Sequence, residues 1–280
     1  MIKKEKALKK PVVLLAVVLI ISGCGIAEKI KAPQVIAGTS MIMSLAADVD
    51  PGISCALLVP PGQCPGHFDL RPADARMLKK AGLVILHPYQ KLLADKIRKI
   101  NPGIKIEIMK VPDTTVPENY FKALLETAVI LNNNIKPGIK NAYVRDRARQ
   151  IKQYLEKNSG QVKKIREKKY KVLCSGVQKG FADWLGLEII GEFGDPEALS
   201  VKGAAELIRK GKSADFIISN LAGTHDSTAS AINKKLKKPV AVLSNFPEIK
   251  GKPPISHYVT LWEYNMGQLN SAIKRLEIRD

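Results

Sequence analysis

The chain has 280 residues, of which 45% are hydrophobic, and its mean hydropathy of −0.06 is that of a globular protein rather than one embedded in a membrane. Its formal net charge is +19, but the lysines and arginines are spread along the whole length and only 5% of residues are aromatic. Proteins that bind nucleic acid pair a basic face with stacking aromatic residues or a recognisable motif, so this composition argues against that class.

The first 24 residues have the three parts of an export signal. Five lysines lie between Lys3 and Lys10, an apolar stretch runs from Pro11 to Ile21, and small residues precede Cys24. The apolar stretch has about 11 residues, fewer than the roughly 20 that a membrane-spanning helix needs. Because it ends in Gly-Cys, the segment resembles a bacterial lipoprotein signal, which implies cleavage before Cys24 and lipidation of its thiol. The alternative is an uncleaved membrane anchor, and both place the remaining chain outside the cytoplasm.

We therefore assign residues 1–23 to a lipoprotein signal peptide and residues 24–33 to a lipid-anchored tether. The signal carries five lysines and one glutamate, which leaves a net charge of about +15 on the other 257 residues. That length is enough for one large domain or two medium ones, each with its own core. Three further cysteines, Cys55, Cys64 and Cys174, leave at least one thiol unpaired.

Strand-like and helix-like segments alternate on both sides of a helical middle, a pattern typical of parallel βα units. The predicted strands are 35–37, 53–59, 83–86, 104–111, 171–174, 188–191, 216–219 and 240–243. One predicted helix begins near Ser40, and the others cover 71–81, 90–100, 118–132, 139–169, 180–185, 200–210, 227–236 and 262–276. The chain is therefore predicted to be an α/β protein with an N-terminal lobe (34–116), a helical connector (117–169) and a C-terminal lobe (170–280).

Signatures of common enzymes are missing from the chain. It contains no Gly-x-Ser-x-Gly, no Walker loop, no His-Glu-x-x-His and no Gly-x-Gly-x-x-Gly. The sequence thus predicts a protein that binds without catalysing.

Several segments resemble the zinc- and manganese-type solute-binding lipoproteins of ABC transporters, over nearly all of residues 34–276. The segment "LLVPPGQCPGHFDLRPAD" (57–74) is similar to their first-lobe motif, and "AGLVIL" (81–86) to the strand that follows it. The second lobe is represented by "KVLCSGVQKGFADWLGLEIIGEF" (171–193), "VAVLSNFPE" (240–248) and "YVTLWEYNMGQLNSAI" (258–273). The resemblance implies two α/β lobes with mostly parallel sheets, a long rigid connector helix, and a solute held between the lobes. It also implies an ABC permease and its ATPase as partners of a monomeric protein.

The usual metal ligands of that family are replaced here. The first-loop histidine position falls on Gly66, with His67 one place later, and the segment "VPENYFKALL" before the connector has no histidine. The second-lobe histidine position falls on Ser175, beside Cys174, and the acidic position falls near Asn220. Either the ligands have been rebuilt or the specificity has changed.

A rebuilt metal site would centre on Cys64 and His67, which stand three apart across a Pro-Gly turn, and on Cys174 at the end of a strand in the other lobe. Ligands of open α/β sheets bind beyond the carboxyl ends of strands. Two thiolates and an imidazole favour zinc over manganese or magnesium, so the predicted cargo is a transition metal ion, most simply zinc. The alternatives are a Cys55–Cys64 disulfide, a buried core thiol at Cys174 and a capping role for His67.

The segment 220–228 follows one strand and opens a helix. Its His225 and Asp226 would complete a metal set, or Asp226 would only cap the helix. Asn220, Gly223 and Thr224 would instead bind a solute through hydrogen bonds. Two more predicted solute-binding residues lie elsewhere in the second lobe, Gln178 and Asn245.

Three functions follow from these patterns. The first is capture of zinc for an ABC permease by an extracytoplasmic protein that is anchored to the cell membrane through lipid. The second is capture of an organic or chelated solute by the same fold, through hydrogen bonds. The third is a structural or lipid-surface protein that has lost transport, suggested by the missing ligands and the positive charge.

Overall fold

Four short parallel strands form the first of two sheets in the computed structural model, which describes residues 33–60, 62–222, 225–247 and 257–278. In chain order they are β1 (Val35–Ala37), β2 (Cys55–Leu57), β3 (Leu83–Leu86) and β4 (Lys105–Ile108), and their order in the sheet is β2-β1-β3-β4. Parallel strands need crossover connections, and these contain α1 (Ser40–Val49), α2 (Pro72–Leu78) and α3 (Lys91–Ile100). The predicted signal peptide, Cys24 and nearly all of the tether lie outside the described residues.

Three helices connect the first sheet to the second: α4 (Pro117–Asn134), α5 (Asn141–Lys157) and α6 (Ser159–Lys168). Pro117 occupies the first turn of α4, where its missing N–H costs nothing. Asn158 alone separates α5 from α6, and Lys169 ends α6 in the left-handed conformation with φ of 49°. The predicted connector is therefore divided at Pro137-Gly138 and at Asn158.

The second sheet repeats the topology of the first. Its strands β5 (Lys171–Ser175), β6 (Glu188–Phe193), β7 (Phe216–Asn220) and β8 (Val240–Leu243) are all parallel and lie in the order β6-β5-β7-β8. The helices α7 (Lys179–Trp184), α8 (Val201–Gly211) and α9 (His225–Leu236) lie between them in the chain, and α10 (Tyr258–Glu277) follows. The α/β class and the two mostly parallel sheets are confirmed.

The hydrophobic cores are built from both faces of each sheet, and the α5–α6 pair and α10 each contribute to a core in both lobes. The α5–α6 pair places Val144 and Ile151 in a first-lobe core, and Val162 and Ile165 in a second-lobe core. The last helix, α10, likewise places Tyr258 in the first-lobe core and Trp262 in the second. The apolar residues of α10 thereby join the two lobes as well as covering the second sheet. No helix in the described part of the chain has the length and apolar character needed to cross a membrane.

Candidate functional site

A cavity of about 360 Å³ lies between the carboxyl ends of the strands of the two sheets. Each sheet reverses its strand order beside its first strand, and ligands of open α/β sheets bind in the crevice at such a point. The first lobe contributes Cys64, Pro65, Gly66, His87, Tyr89, Pro112, Asp113, Thr114 and Thr115 to the lining. The second lobe contributes Gly176, Val177, Gly180, Asn220, Ala222, Asn245 and Phe246.

His87, directly after β3, is the buried imidazole of the first-lobe wall. It is 1% exposed, and its Nε2 lies 2.9 Å from the hydroxyl of Thr39, the residue that caps α1. Burial lowers the pKa of His87 from 6.5 to about 3, so the ring is neutral at physiological pH. Its Nδ1 has no hydrogen-bond partner in the described part of the chain, and the ring stacks on Tyr89 with a centroid distance of 5.0 Å.

Asp113 brings the only formal charge among the described lining residues, and it lies where the lobes meet. Its Oδ1 accepts hydrogen bonds from the backbone N–H and the hydroxyl of Thr115, at 2.9 and 2.6 Å. Its Oδ2 faces Gly180 in α7 so closely that a Cβ at that glycine would lie 2.0 Å away. The absence of a side chain at Gly180 is therefore what allows this contact between the lobes.

A cluster of three amide side chains lies at the second-lobe wall: Asn220 and Asn245 line the cavity, whereas Gln178, which bonds to both, is not one of the lining residues. Gln178 is fully buried, and its Nε2 donates to Oδ1 of Asn220 at 2.7 Å and to Oδ1 of Asn245. Asn220 donates in turn to the Ala222 carbonyl at 2.7 Å, and Asn245 to the Val177 carbonyl at 2.8 Å. Oε1 of Gln178 has no partner among the described residues. The cluster is neutral, and it fixes amide groups that both donate and accept.

The structure brings some of the predicted metal ligands to the cavity and not others. Cys64 lines the cavity as a free, half-buried thiol, and Cys55 is also free, so the two do not form a disulfide. Cys174 is fully buried in the second-lobe core, where burial raises the pKa of its thiol to about 12, and it is not one of the lining residues. Its position agrees with the alternative of a core thiol.

The remaining predicted site residues lie on two short segments. His67 ends a 3-10 turn, Pro65–His67, and His225 begins α9; the side chains of both, like Gly223 and Thr224 as a whole, lie outside what the structure describes. Asp226 lies in the first turn of α9 and accepts a hydrogen bond from the Ser219 hydroxyl at 3.2 Å. Among the described residues, no three His, Cys, Asp or Glu side chains are grouped so that they could hold a metal ion.

The arrangement of two lobes around this cavity is the fold of periplasmic metal-binding proteins. The chain is similar to the Cd-bound periplasmic metal binding protein from Candidatus Liberibacter asiaticus, with a TM-score of 0.70, 16% identity, and coverage of 86% of this chain and 98% of that one. The Mn-bound form of that protein gives a TM-score of 0.69 with the same identity and coverage. The periplasmic zinc binding protein TroA from Treponema pallidum gives 0.66 at 14% identity, over 86% of this chain and 99% of that one.

At this level of identity the similarity establishes the fold, and it agrees with the resemblance drawn from the motifs. No protein-family model matches the chain, and no curated protein sequence matches it.

Proposed function

We propose that the chain is an extracytoplasmic, lipid-anchored solute-binding protein of an ABC importer. It captures its solute in the cavity between the lobes and delivers it to a permease and its ATPase, without catalysing a reaction. The cavity carries this proposal, because both lobes contribute to its lining, nine residues from the first and seven from the second, at the carboxyl ends of the two sheets. A solute held there contacts both lobes, so its binding favours the arrangement that a permease can recognise.

The solute class that the geometry supports best is an organic or chelated solute bound through hydrogen bonds. The amide cluster of Gln178, Asn220 and Asn245 supports this class, since amides are suited to neutral donors and acceptors. The cavity volume of about 360 Å³ is within the range of organic ligand sites, which is about 300–1,000 Å³. No described lining residue is basic, which disfavours an anion.

Zinc is the second candidate, and Cys64 is the observation that favours it. This thiol is free and lines the cavity, in the same Cys-Pro-Gly-His segment as His67. Structures of similar fold include a zinc binding protein and Mn- and Cd-bound forms of another. A thiolate and an imidazole are suitable zinc ligands, but a stable site needs at least one more.

Two measurements on the chain beginning at Gly25 separate the candidates. The described cores are built from Val35 onward, so this chain retains them. The first is calorimetric titration of zinc into the reduced, metal-stripped protein, beside a Cys64→Ser, His67→Ala double variant. The second is native mass spectrometry of the same chain fused to a cleavable export signal and recovered from outside the cytoplasm of cells that express it, beside a Gln178→Met variant and a control, Gln153→Met, at an exposed position of α5.

We expect a bound organic mass that is lost in Gln178→Met and kept in Gln153→Met, together with no zinc binding that depends on Cys64. One-to-one zinc binding that disappears in the double variant would instead establish the metal candidate. Absence of both a bound mass and zinc binding would contradict solute capture in this cavity.

A further inference from the structure

The connector helices α5 and α6 carry a dense positive charge. Residues 140–169 contain eleven Lys and Arg and three Asp and Glu, a net charge of +8 within 30 residues. The other 250 residues together carry +11. A charge concentrated on one structural element produces a local potential that the same charge spread over the surface does not.

This charge is directed toward solvent, because the apolar side chains of both helices point inward. Val144, Ile151, Val162 and Ile165 are buried against the two cores. The cations on the opposite sides are open to solvent: the side chains of Arg149, Lys152 and Lys163 are 69%, 67% and 79% exposed.

Neighbouring acidic groups neutralise only part of this face. Asp146, Glu156 and Glu167 are each paired with a cation one turn away, and Arg147 is paired with Asp48 of the first lobe. Arg166 donates to the Trp184 carbonyl and stacks on its ring. Like Arg166, six other cations have no carboxylate partner in the described part of the chain: Lys140, Arg145, Lys157, Lys164, Lys168 and Lys169.

Two of these lysines border a groove of about 490 Å³ between α6 and α10. Lys164 and Lys168 are one turn apart on α6 and lie on the rim, together with the amides of Gln161 and Asn270. The apolar side of the groove is formed by Ile165, Ile273 and Tyr170, and Glu167 and Glu277 also line it. The two lysines balance the two glutamates, so the groove has no net charge; its ammonium groups beside an apolar wall offer contacts to a molecule that is anionic at one end and apolar at the other.

We propose that the face formed by α5 and α6 binds the anionic headgroups of phospholipids, with Lys164 and Lys168 among the lysines that contact them. A lipid surface accounts for the groove, and also for the N-terminal segment, which resembles a lipoprotein signal. Because of this second argument, the choice of lipid as the partner rests in part on the proposed membrane tether. A nucleic acid accounts for neither, and Tyr170, the aromatic residue beside these lysines, is packed against Phe216 rather than free to stack on bases. Clusters of exposed basic residues next to a membrane bind anionic lipid electrostatically.

The test is co-sedimentation of the chain beginning at Gly25, which lacks the lipidation site, with two kinds of vesicle. One contains phosphatidylcholine alone, and the other contains phosphatidylcholine with about 30% phosphatidylglycerol, at low and high salt. The test variant is Lys157→Gln, Lys164→Gln, Lys168→Gln. The control removes the same charge from exposed lysines of the first lobe, as Lys79→Gln, Lys80→Gln, Lys99→Gln.

We expect binding to the anionic vesicles only, a loss of about tenfold or more in the test variant, and a change of less than about twofold in the control. Replacing the three lysines by arginine should retain binding, and circular dichroism shows whether each variant is folded. Equal losses in test and control variants would overturn the proposal, since net charge would then explain the binding. Absence of binding, or tighter binding to duplex DNA through the same lysines, would overturn it as well, and each result leaves the cavity measurements unaffected.

Discussion

His87 shows how a single buried side chain makes the stability of this protein depend on pH. In the folded chain burial lowers its pKa to about 3, whereas the unfolded chain exposes an imidazole with an ordinary pKa of 6.5. Below about pH 6.5 the unfolded state therefore binds a proton at this imidazole that the folded state does not bind. The free energy of unfolding consequently falls as the pH is lowered from about 6.5 toward 3.

We expect His87 to account for about 2 kcal/mol of the stability lost between about pH 7 and pH 5. The measurement is urea unfolding at a series of pH values, for the chain and for His87→Gln, which removes the titration and keeps a polar group beside Thr39. The control is His257→Gln, at an exposed position. An unchanged pH dependence in His87→Gln would show that other groups are responsible.

The sequence predicts Asn220 and Asn245 as solute-binding residues, and the structure brings both to the cavity although several predicted strand ends are off by one to three residues. Asn220 ends β7 and Asn245 follows β8, and both line the cavity because they stand at carboxyl ends of parallel strands. The same rule applies to His87 after β3, yet a single histidine without a ligand motif gives no further signal. Their roles as ligands stay predictions.

Cys174 shows why position in a strand is not enough to assign a site. Successive side chains of a strand point to opposite faces of the sheet. Along β5, Val172 and Cys174 pack in one core and Leu173 in another. The pleat of β5 thus directs Cys174 into the protein and away from the cavity. A sequence shows which face a strand residue takes only when the layers on both sides of the sheet are known.

Elements with a strong periodic pattern were predictable to within a few residues. The strand at 240–243 has the predicted bounds, and the helix predicted at 262–276 extends to Tyr258–Glu277. The extra turn of α10 buries Tyr258, which stacks on Tyr120 of α4. Contacts with another lobe determine that boundary, and local sequence contains no information about them.

Helix α7 approaches the first lobe only because it has a glycine at position 180. A Cβ there would lie 2.0 Å from Oδ2 of Asp113, well inside van der Waals contact. We expect Gly180→Ala to push the Asp113 loop away from α7, which would separate the lobes at the cavity and weaken solute capture. Small-angle scattering should then give a larger radius of gyration.

The double variant Gly180→Ala, Asp113→Gly should restore the compact form, because it removes the atom with which the new methyl group collides. Gly160→Ala in α6 is the matched control, since a Cβ at that position meets nothing within 4 Å. A radius of gyration that does not change in Gly180→Ala would mean that the loop yields locally and that the contact does not position the lobes.

At the scale of the whole molecule, shared helices make the two lobes one unit in stability. Both α10 and the α5–α6 pair contribute buried side chains to a core in each lobe. Loss of packing in one lobe should therefore be transmitted to the other. The two tryptophans of the chain, Trp184 and Trp262, both pack against the second-lobe core, so their fluorescence reports on the packing of that core.

Tyr120→Phe tests this coupling from the first lobe. The Tyr120 hydroxyl donates to Asp48 at 2.5 Å inside the first-lobe core, and Asp48 is held on its other side by Arg147 of α5. Loss of one hydrogen bond to a buried carboxylate should reduce the free energy of unfolding by about 1–3 kcal/mol. Tyr143→Phe, at a tyrosine that is 45% exposed, should change it by less than about 0.5 kcal/mol.

If the lobes unfold as one unit, urea melts of Tyr120→Phe followed by tryptophan fluorescence and by far-UV circular dichroism shift by the same amount. The fluorescence transition then moves even though the altered side chain and both tryptophans lie in different lobes. A fluorescence transition that stays at the position of the unaltered chain, while circular dichroism moves, would mean that the lobes unfold separately. In that case the helices shared by the two lobes would connect them without coupling their unfolding. The contacts at the cavity would then be what holds the lobes together for solute capture.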